Sequence, residues 1–532
     1  MKQLILGVYH KDIVDLFAGG GGWSTACEDA WNRSPDIAIN HDPEAISMHR
    51  ANHPQTRHFV ADVYEVCPHV ATRGRPVGWL HLSPDCTHHS QASGGQPRNK
   101  KIRGLSWVGY RWAGQVLPDV ISLENVKQIL KWGPLIAKRD KETGRVIKLN
   151  GDVAAPGERV PVQQQYLVPD PRRAGKTWKA FVHKLRGLGY VVEWSMLCAA
   201  DYGGHTTRER LFMLARRDGL PIVWPEKTHQ KKPVEKPKKP TSGKKHPVQT
   251  KAKRPVTKMP YWRPAADCID FSDLGRSIFG REKPLVAATL RRIADCIKRC
   301  VLDNPEPFII QIAHYSKGNK GSVHPVSEPL RTITARTKGG EFALVTPCIA
   351  QHAHSGDEHV VMPYMVQANA GFNTTTGRSV DEPMSTITGT GSQQQFSAAI
   401  LAHLHTLTPE QMDGALQVAA FLMEYYGGGG QWNELDKPIN TITTKDRFAL
   451  VTVWIAGKPR VIIDIRLRML SPRELYLAQD FPHDYIIDRG HDGRRLSKMA
   501  QVRMCGNSVN PVCASALLKA NAPWLAVGKR AA

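Results

Sequence analysis

Short apolar runs alternate with helical stretches over the first two hundred residues of the chain. Five apolar runs, bounded by polar or turn-forming residues, predict buried strands at residues 12–17, 37–40, 57–61, 77–82 and 118–123. Helical stretches follow the first two strands, from Thr25 to Trp31 and from Pro43 to Ala51. This order of strand, helix and strand predicts an α/β fold that begins like a nucleotide-binding sheet.

A run of four glycines joins the first predicted strand to the first helix. In the stretch from Ala18 through Gly19, Gly20, Gly21 and Gly22 to Ser24, the missing side chains let the backbone approach a ligand closely. A dinucleotide fingerprint would need glycine where Ser24 stands, so the pattern disfavours NAD. A glycine-rich turn without a ligand is the alternative interpretation.

Polar residues follow the next two strands. Asn40, His41 and Asp42 come after the second strand, and Asp62 comes after the third. An acid in such a place is by itself more typical of a helix cap. Its repetition at the carboxyl ends of successive strands favours a ligand-binding edge of the sheet.

A cysteine, Cys86, lies in the polar loop from Ser83 to Ser90, directly after the fourth strand. A thiol delivered to a loop by a strand can serve as a nucleophile, although most free cysteines are inert and buried. Glu124 follows the fifth strand and would lie beside Cys86 if the strands take their usual order. The basic, glycine-rich stretch from Gln91 to Arg103 is either a lid over an anionic substrate or an ordinary surface loop.

The middle of the chain carries a repeat. Copies of the pattern Pro-x-x-Thr-Ile-Thr begin at Pro329, Pro383 and Pro438, and each is followed by a short predicted strand, at residues 342–345, 396–400 and 448–451. Alternating Thr-Ile-Thr is typical of strands, and glycines before each copy mark loops. A helix is predicted from Arg291 to Val301. The block is therefore expected to be β-rich, either as a recognition surface or as a purely structural repeat.

The charge balance points to a polyanionic partner. The chain of 532 residues has 72 Lys and Arg against 48 Asp and Glu, a formal net charge of +24. Nucleic acid is the simplest partner for such an excess, because each added cation gains from the release of counterions. Between Lys227 and Lys258 a run rich in Lys and Pro predicts a solvated linker that can also bind phosphates non-specifically.

Cysteine usage and hydropathy indicate an intracellular protein. Ten cysteines without a tight CxxC pair argue against a disulfide framework and a zinc ribbon, so no metal is expected. No apolar run reaches the roughly 18 residues of a membrane span. The first ten residues lack the apolar core and cleavage site of a signal peptide.

Six short motifs, in one order along the chain, resemble those of the DNA (cytosine-5)-methyltransferases. They match motif I at Asp15 to Gly21, motif IV at Pro84-Asp85-Cys86 with Ser90, motif VI at Glu124-Asn125-Val126, motif VIII at Ala200 to Gly203 and Arg208 to Phe212, motif IX at Arg468 to Glu474 and Gln479 to Pro482, and motif X at Gly506 to Pro511. The likeness is closest to the bacterial and phage branch that carries Ser-Pro-Asp-Cys-Thr. Asn40 stands where most relatives have a ribose-binding glutamate, Asp85 separates Pro84 from Cys86, and Thr206 replaces a glutamine.

The resemblance implies a Rossmann-like methyltransferase domain that uses S-adenosylmethionine, and a smaller β-rich target-recognition domain that contains the repeats. The expected division is a catalytic domain at residues 1–225, a basic linker at 226–258, a target-recognition domain at 259–460, and a return to the catalytic domain at 461–532.

The resemblance also implies site residues. Cys86 is the expected nucleophile, Glu124 the residue at the N3 edge of the base, and Arg208 and Arg210 the contacts to the base and its surroundings. The residues expected around S-adenosylmethionine are Asp15, Phe17, Ala18, Gly19, Gly20, Gly21, Asn40, His41, Asp62, Asn507, Ser508 and Val509.

The expected activity is transfer of a methyl group to C5 of a flipped cytosine in a specific duplex DNA sequence, through a covalent bond from Cys86 to C6. We expect a cytoplasmic, monomeric protein of a bacterial cell, encoded by the bacterium, a phage or a prophage. The alternatives are an RNA cytosine-5 enzyme, which the large middle block disfavours, an amino-group (N4 or N6) DNA methyltransferase, and a DNA-binding protein without catalysis. The sequence does not predict the recognition sequence.

Overall fold

The computed structural model of the protein describes residues 10–86, 89, 99–232, 259–297 and 458–527. Between residues 298 and 457 it describes separate elements, at residues 308–310, 323–325, 330–333, 344–346, 359–367, 377–378, 385–386, 394–403, 409–426 and 452–455. Most of the predicted lid, most of the predicted basic linker and the third copy of the repeat lie outside the described residues.

The first half of the chain alternates strands and helices. The strands are β1 (Asp12–Leu16), β2 (Ile37–Asn40), β3 (Arg57–Val60), β4 (Val77–Leu82), β5 (Val120–Asn125), β6 (Leu135–Ala137), β7 (Leu167–Pro169), β8 (Val191–Cys198), β9 (Thr206–Thr207) and β10 (Glu209–Arg216). The helices are α1 (Gly22–Trp31), α2 (Pro43–Asn52), α3 (Pro68–Thr72), α4 (Lys100–Arg103), α5 (Trp107–Val116) and α6 (Lys176–Gly187). All five predicted strands are present within one or two residues of the predicted bounds.

Seven of these strands form one mixed sheet in the order β3-β2-β1-β4-β5-β10-β8. The first five are parallel, whereas β10 runs antiparallel to both β5 and β8. The predicted α/β fold is confirmed. Because the strand order reverses on either side of β1, the loops after β1 and β4 border a crevice at the carboxyl ends of the strands, where such folds bind ligands.

Apolar side chains cover both faces of this sheet. One face packs against α5 and α6 through a cluster that includes Trp112, Ile121 and Phe181. The opposite face carries Trp23, Trp31 and Trp79 among others. The rings of Trp31 and Trp79 meet edge to face with their centroids 5.5 Å apart. Burial of this much apolar surface on both faces fixes the sheet as the rigid support of the loops at its carboxyl edge.

Helix α1 begins three residues earlier than predicted. Gly21 has φ 98°, a left-handed conformation that favours glycine, and the amide of Thr25 donates to the carbonyl of Gly21 at 2.8 Å. Gly22 therefore belongs to the first turn of the helix. The glycine run is partly turn and partly helix.

The middle of the chain contains a second sheet and two longer helices. Its elements are β11 (Arg276–Ser277), α7 (Ala287–Ile297), β12 (Phe308–Ile310), β13 (Val323–Pro325), β14 (Leu330–Ile333), β15 (Leu344–Thr346), β16 (His359–Gln367), β17 (Gly377–Arg378), β18 (Ser385–Thr386), β19 (Gln394–His403), α8 (Pro409–Tyr426) and β20 (Thr452–Ile455). The C-terminal part follows with β21 (Lys458–Met469), α9 (Pro472–Ala478), α10 (Lys498–Asn507) and α11 (Pro511–Asn521). Helix α8 has no counterpart among the predicted elements.

The described copies of the repeat form equivalent strands. Strands β14 and β18 come from the first two copies and pair in parallel, and β14 also pairs in parallel with β9. The strands that follow these copies, β15 and β19, pair in parallel as well. A larger sheet has the order β11-β21-β19-β15-β16-β17-β12-β13, with β20 paired to β21. The predicted role of this block in target recognition stays a prediction.

The C-terminal part packs against the first half of the chain. Tyr476 and Met504 share a buried cluster with Met48 of α2, and residues 265–269 contribute Ala265, Cys268 and Ile269 to the same cluster. Helix α9 begins with a capping box in which the amide of Ser471 donates to Glu474 at 2.6 Å and the amide of Glu474 donates to Ser471 at 3.3 Å. The predicted domain boundaries stay a prediction. Residues 265–269, which the sequence assigns to the middle domain, pack in a cluster shared by the first and last parts of the chain.

Within the described part of the chain, no helix has the length and apolar character needed to cross a membrane.

Packing between the first and last parts of the chain predicts the effect of one glycine substitution. A Cβ at Gly22 would lie 2.2 Å from the carbonyl oxygen of Val509, so Gly22→Ala forces the C-terminal segment away from α1. We expect a loss of ~1–3 kcal/mol in the free energy of unfolding, measured by urea denaturation. The matched control is Gly114→Ala in α5, where a Cβ meets no atom within 4 Å. That control should gain ~0.5–1 kcal/mol from helix propensity, and equal effects of both substitutions would contradict the packing argument.

Candidate active site

The loop that carries Cys86 is tied to two neighbouring loops. The amide of Ser83 donates to the carbonyl of Leu16 at 3.4 Å, and its hydroxyl donates to the carbonyl of Phe17 at 3.3 Å. On the other side, the side-chain amide of Asn125 donates to the carbonyl of Pro84 at 3.0 Å. Cys86 itself is partly exposed, and its carbonyl accepts from the amide of His89 at 2.9 Å. The thiol is thus held over the carboxyl ends of β1, β4 and β5.

The register between β5 and β10 brings Glu124 to the two arginines. Glu124 lies opposite Phe212 in the antiparallel pair. Since every second residue of a strand lies on the same face, Arg210 is the diagonal neighbour of Glu124, and Arg208 follows two residues further. The Nε atom of Arg210 lies 3.2 Å from Oε1 of Glu124, and Nη2 of Arg208 lies 3.9 Å from the same oxygen.

All three charged side chains are buried, with exposed fractions of 7% for Glu124, 4% for Arg208 and 7% for Arg210. Burial, together with the repulsion from Arg210, lowers the pKa of Arg208 to about 9. Arg208 is also anchored to the C-terminal part of the chain, because its Nη1 donates to the carbonyl of Gly506 at 3.0 Å. The position of this arginine therefore depends on the end of α10.

The charges of Glu124, Arg208 and Arg210 affect the pKa of Cys86. Burial raises the pKa of the Cys86 thiol to about 11, while the positive charges of Arg210 and Arg208 oppose that rise and the carboxylates of Asp85 and Glu124 add to it. The arginines favour the thiolate, as the sequence suggested, but burial outweighs them. Without DNA the thiol is protonated at neutral pH. The four predicted catalytic residues thus converge at one place, while their roles stay predictions.

The glycine loop is shaped by contacts inside the protein at three of its four glycines. A Cβ at Gly20 would lie 3.1 Å from Cβ of Met504, and one at Gly21 would lie 2.1 Å from the hydroxyl of Tyr485. The Tyr485 hydroxyl also donates to the carbonyl of Gly20 at 2.6 Å. Gly19 differs, since a Cβ there would meet only the carbonyl of Phe17, at 3.7 Å. Gly19 is thus the glycine with room for a ligand beside it.

Asp15 lies beneath the glycine loop and is fully buried. The hydroxyl of Ser24 donates to Asp15 at 3.2 Å and lies 2.8 Å from Nε2 of His49, whose other ring nitrogen lies 2.8 Å from His58. Burial raises the pKa of Asp15 well above its usual range, and the bond from Ser24 only partly opposes this shift. Burial likewise lowers the pKa of His49 well below its usual range. Asp15 is therefore placed to support the loop from below.

The predicted cofactor residues divide into exposed and packed groups. His41, Asp62 and Asn507 are exposed, and Phe17, Gly19 and Asn40 are partly exposed. Ala18 is buried, and so are Ser508, whose hydroxyl donates to the carbonyl of Met504 at 2.7 Å, and Val509, which is 3% exposed. Asp42, beside Asn40, caps α2 and pairs with Arg503 at 2.9 Å. The exposed group offers polar atoms and one aromatic ring, and its role in cofactor binding stays a prediction.

A possible ligand set for a metal ion lies away from this site. His10, Asp12 and Asp36 place ligand atoms within 4.8 Å of one another, at the amino ends of β1 and β2. Arg33 pairs with Asp36 at 2.6 Å, and Arg75 pairs with Asp12 at 3.0 Å. Two guanidinium groups thus already neutralise these carboxylates.

Part of the chain is similar to a known family of proteins. A sequence model described as C-5 cytosine-specific DNA methylase matches residues 11–134 and 170–272. Cys86, Glu124, Arg208 and Arg210 all lie in the matched segments, whereas the hairpin of β6 and β7 falls between them. The type II methyltransferase M.AquIA of Picosynechococcus sp. is 26% identical over 228 residues, which cover 41% of this chain and 77% of that protein. Over these segments the chain is similar to the C-5 cytosine-specific DNA methylases, which supports an enzyme of the DNA cytosine-5 methyltransferase class.

Two solved structures also align with the chain at low similarity. A triple mutant of DNMT2 from Spodoptera frugiperda has a TM-score of 0.42 and 16% identity, covering 96% of this chain and 98% of that chain. A putative DNA modification methyltransferase encoded within a prophage of E. coli has a TM-score of 0.41 and 14% identity, covering the same shares of both chains. TM-scores this low carry no argument about the present chain.

The electrostatics of the site predict how Cys86 reacts in the absence of DNA. Because only the thiolate is alkylated, labelling by iodoacetamide should accelerate about tenfold for each pH unit below a pKa of about 11. In Arg210→Gln the labelling should be slower at every pH, since the positive charge that favours the thiolate is gone. Peptide mass spectrometry follows Cys86 alone. A plateau near neutral pH, or equal rates in both proteins, would show that burial and Arg210 do not control this thiol.

Proposed function

We propose that the protein methylates C5 of a flipped cytosine in duplex DNA through a covalent bond between Cys86 and C6 of the base. The convergence of Cys86, Glu124 and Arg210 carries this proposal. A thiol, a carboxyl group and a guanidinium group within one small site are what activation of a cytosine ring requires. The similarity to the C-5 cytosine-specific DNA methylases supports the overall reaction, and the geometry supports the roles below.

Activation of the ring is needed because C5 of cytosine is a weak nucleophile. When the sulfur of Cys86 bonds to C6, the electron pair of the C5–C6 double bond is freed and C5 becomes the carbon of an enamine. Gly19, Phe17 and the exposed polar residues of the crevice would hold S-adenosylmethionine, which would supply an electrophilic methyl group. After C5 has taken the methyl group and S-adenosylhomocysteine is left, water takes the proton from C5, and Cys86 leaves as the thiolate as the C5–C6 double bond is restored.

Glu124 and the arginines act on the pyrimidine ring. As Cys86 adds to C6, negative charge develops on the N3 and O2 side of the base. The carboxyl group of Glu124 is placed to exchange a proton or hydrogen bond at N3, and the guanidinium groups of Arg208 and Arg210 offset the developing charge. Their burial strengthens these interactions, because little water screens them.

The thiol must lose its proton before it attacks. Burial raises the pKa of Cys86, which disfavours the thiolate in the free protein. Arg210 supplies the largest opposing effect, since its positive charge favours the thiolate.

The partner is duplex DNA, and the base must leave the helix. A stacked cytosine hides C6 from any side chain, so enzymes that act on a base flip it out of the duplex. The net charge of +24 suits the phosphate backbone. The repeats are proposed to read the sequence, and the pairing of β14 with β9 supports this because β9 ends directly before Arg208.

Labelled methyl transfer tests the proposal. Purified protein with radiolabelled S-adenosylmethionine should methylate duplex DNA, and nucleoside analysis should find 5-methylcytosine. Cys86→Ala should abolish transfer but retain DNA binding in a gel-shift assay, because the reaction loses its nucleophile and the binding surface stays. The matched control is Cys67→Ala, which alters an exposed cysteine before α3 and should keep full activity.

Three results would contradict the proposal. Full activity of Cys86→Ala would remove the nucleophile from the mechanism. N4-methylcytosine or N6-methyladenine as the product would favour an amino-group methyltransferase. Transfer to RNA in preference to duplex DNA would replace the proposed substrate.

A further inference from the structure

His205 lies three residues before Arg208 and connects that arginine to the C-terminal part of the chain. It directly precedes β9, and 13% of its side chain is exposed. Nδ1 of His205 lies 2.7 Å from Oδ1 of Asp480, and the backbone amide of His205 donates to the same oxygen at 3.1 Å. One carboxylate therefore fixes both the ring and the backbone of this residue.

The surroundings of His205 keep its ring charged. Its second ring nitrogen, Nε2, lies 3.5 Å from Asp267, so a carboxylate faces each nitrogen. Burial alone would lower the pKa of His205, but the hydrogen bonds to Asp267, Asp480 and Cys268 outweigh it and raise the pKa to about 12. An imidazolium donates from both nitrogens, which matches this arrangement.

Asp480 adopts a conformation that is unusual for its residue type. Its φ is 66°, in the left-handed region that favours glycine and costs a side chain of this kind ~1 kcal/mol. Its carboxylate offsets this cost through three partners, because Oδ2 also accepts from the side-chain amide of Asn510 at 2.8 Å. A Cβ at Gly204 would lie 2.6 Å from Oδ2 of Asp480, so the close approach of the two segments also requires glycine at 204.

The segment between His205 and Arg210 is thus held at several points. The amide of Arg208 donates to the hydroxyl of Thr206 at 3.2 Å, and its guanidinium donates to the carbonyl of Gly506. Strand β9, formed by Thr206 and Thr207, pairs with β14 of the first repeat. Asp480 and Gly506 both belong to the C-terminal part of the chain, so the same part of the protein holds both ends of the turn that precedes β10.

We propose that the ion pair of His205 with Asp480 is a positioning device that holds Arg208 and Arg210 against Glu124 for methyl transfer. This inference rests on the proposed function, since it assigns the pair to that reaction. His205 touches neither the base nor the thiol and acts through the arginines. Loss of the pair lets the segment from 205 to 210 move, and the guanidinium groups then no longer match the position of the flipped base.

Rate and binding measurements distinguish a role in positioning the arginines from a role in binding DNA. His205→Gln and Asp480→Asn should each lower the single-turnover rate of methyl transfer by about 10- to 100-fold, since displacement of a catalytic group by about 1 Å has such effects. The dissociation constant for duplex DNA should change less than about twofold. The double variant should be no slower than the slower single variant, because both substitutions break one interaction. The matched control is Asp273→Asn, which alters a 70% exposed carboxylate that lies 3.6 Å from Arg468 in another ion pair, and it should keep nearly full activity.

Hydrogen exchange provides a measurement that needs no substrate. In the full-length protein without DNA, the amides of residues 205–210 should exchange at least about tenfold faster in His205→Gln and Asp480→Asn than in the wild type and in Asp273→Asn. Unchanged exchange would show that the pair does not hold the segment. Faster exchange with an unchanged transfer rate would show that the segment need not be held for catalysis. A third outcome is faster exchange in the variants together with a wild-type protein that transfers no methyl group to DNA. That result would show that the ion pair holds the segment, and it would overturn the proposed function instead.

Discussion

A buried carboxylate with two guanidinium groups beside it is the interaction on which the site depends. Glu124 could not remain in this place unpaired, because removing a charge from water costs several kcal/mol unless an opposite charge compensates it. Arg210 lies 3.2 Å and Arg208 3.9 Å from the same oxygen of Glu124. Because two guanidinium groups face one carboxylate, these three side chains carry one excess positive charge. That excess charge favours the thiolate of Cys86 against the effect of burial. The register of β5 against β10 sets these distances, so the chemistry of the site follows from strand pairing.

The C-terminal segment completes this arrangement through contacts between residues far apart in sequence. Tyr485 donates to the carbonyl of Gly20 across 465 residues, and Gly506 accepts a hydrogen bond from Arg208 across 298 residues. The surrounding protein shapes the glycine loop, since a Cβ at Gly20, Gly21 or Gly22 would have a neighbour within 3.1 Å. The sheet, the thiol loop and the end of the chain form one body around the crevice.

The sequence predicts the sheet well because buried strands leave local signals, and it also points to residues that the structure brings together, whose roles stay predictions. Buried strands of four to six residues appear as apolar runs, and the family motifs place Cys86, Glu124, Arg208 and Arg210 before any geometry is known. Contacts between distant residues leave no such signal. His205 and Asp480 are 275 residues apart, and nothing near either residue predicts the other. The same holds for Asp15, whose place in a loop motif suggests a cofactor contact, whereas the structure buries it against Ser24. The pKa of Cys86 could not be predicted either, because the burial that raises it depends on the whole fold.

The direct test of the central claim is to trap the bond between Cys86 and the base. A duplex that the enzyme methylates is prepared with 5-fluorocytosine at the target position and incubated with the protein and S-adenosylmethionine. Fluorine cannot leave C5 as a proton does, so the final elimination is blocked and the protein should remain attached to DNA. After proteolysis, mass spectrometry should locate the attached nucleotide on the peptide that contains Cys86. An enzyme that methylates ordinary DNA but forms no adduct, or an adduct on another cysteine, would contradict the account.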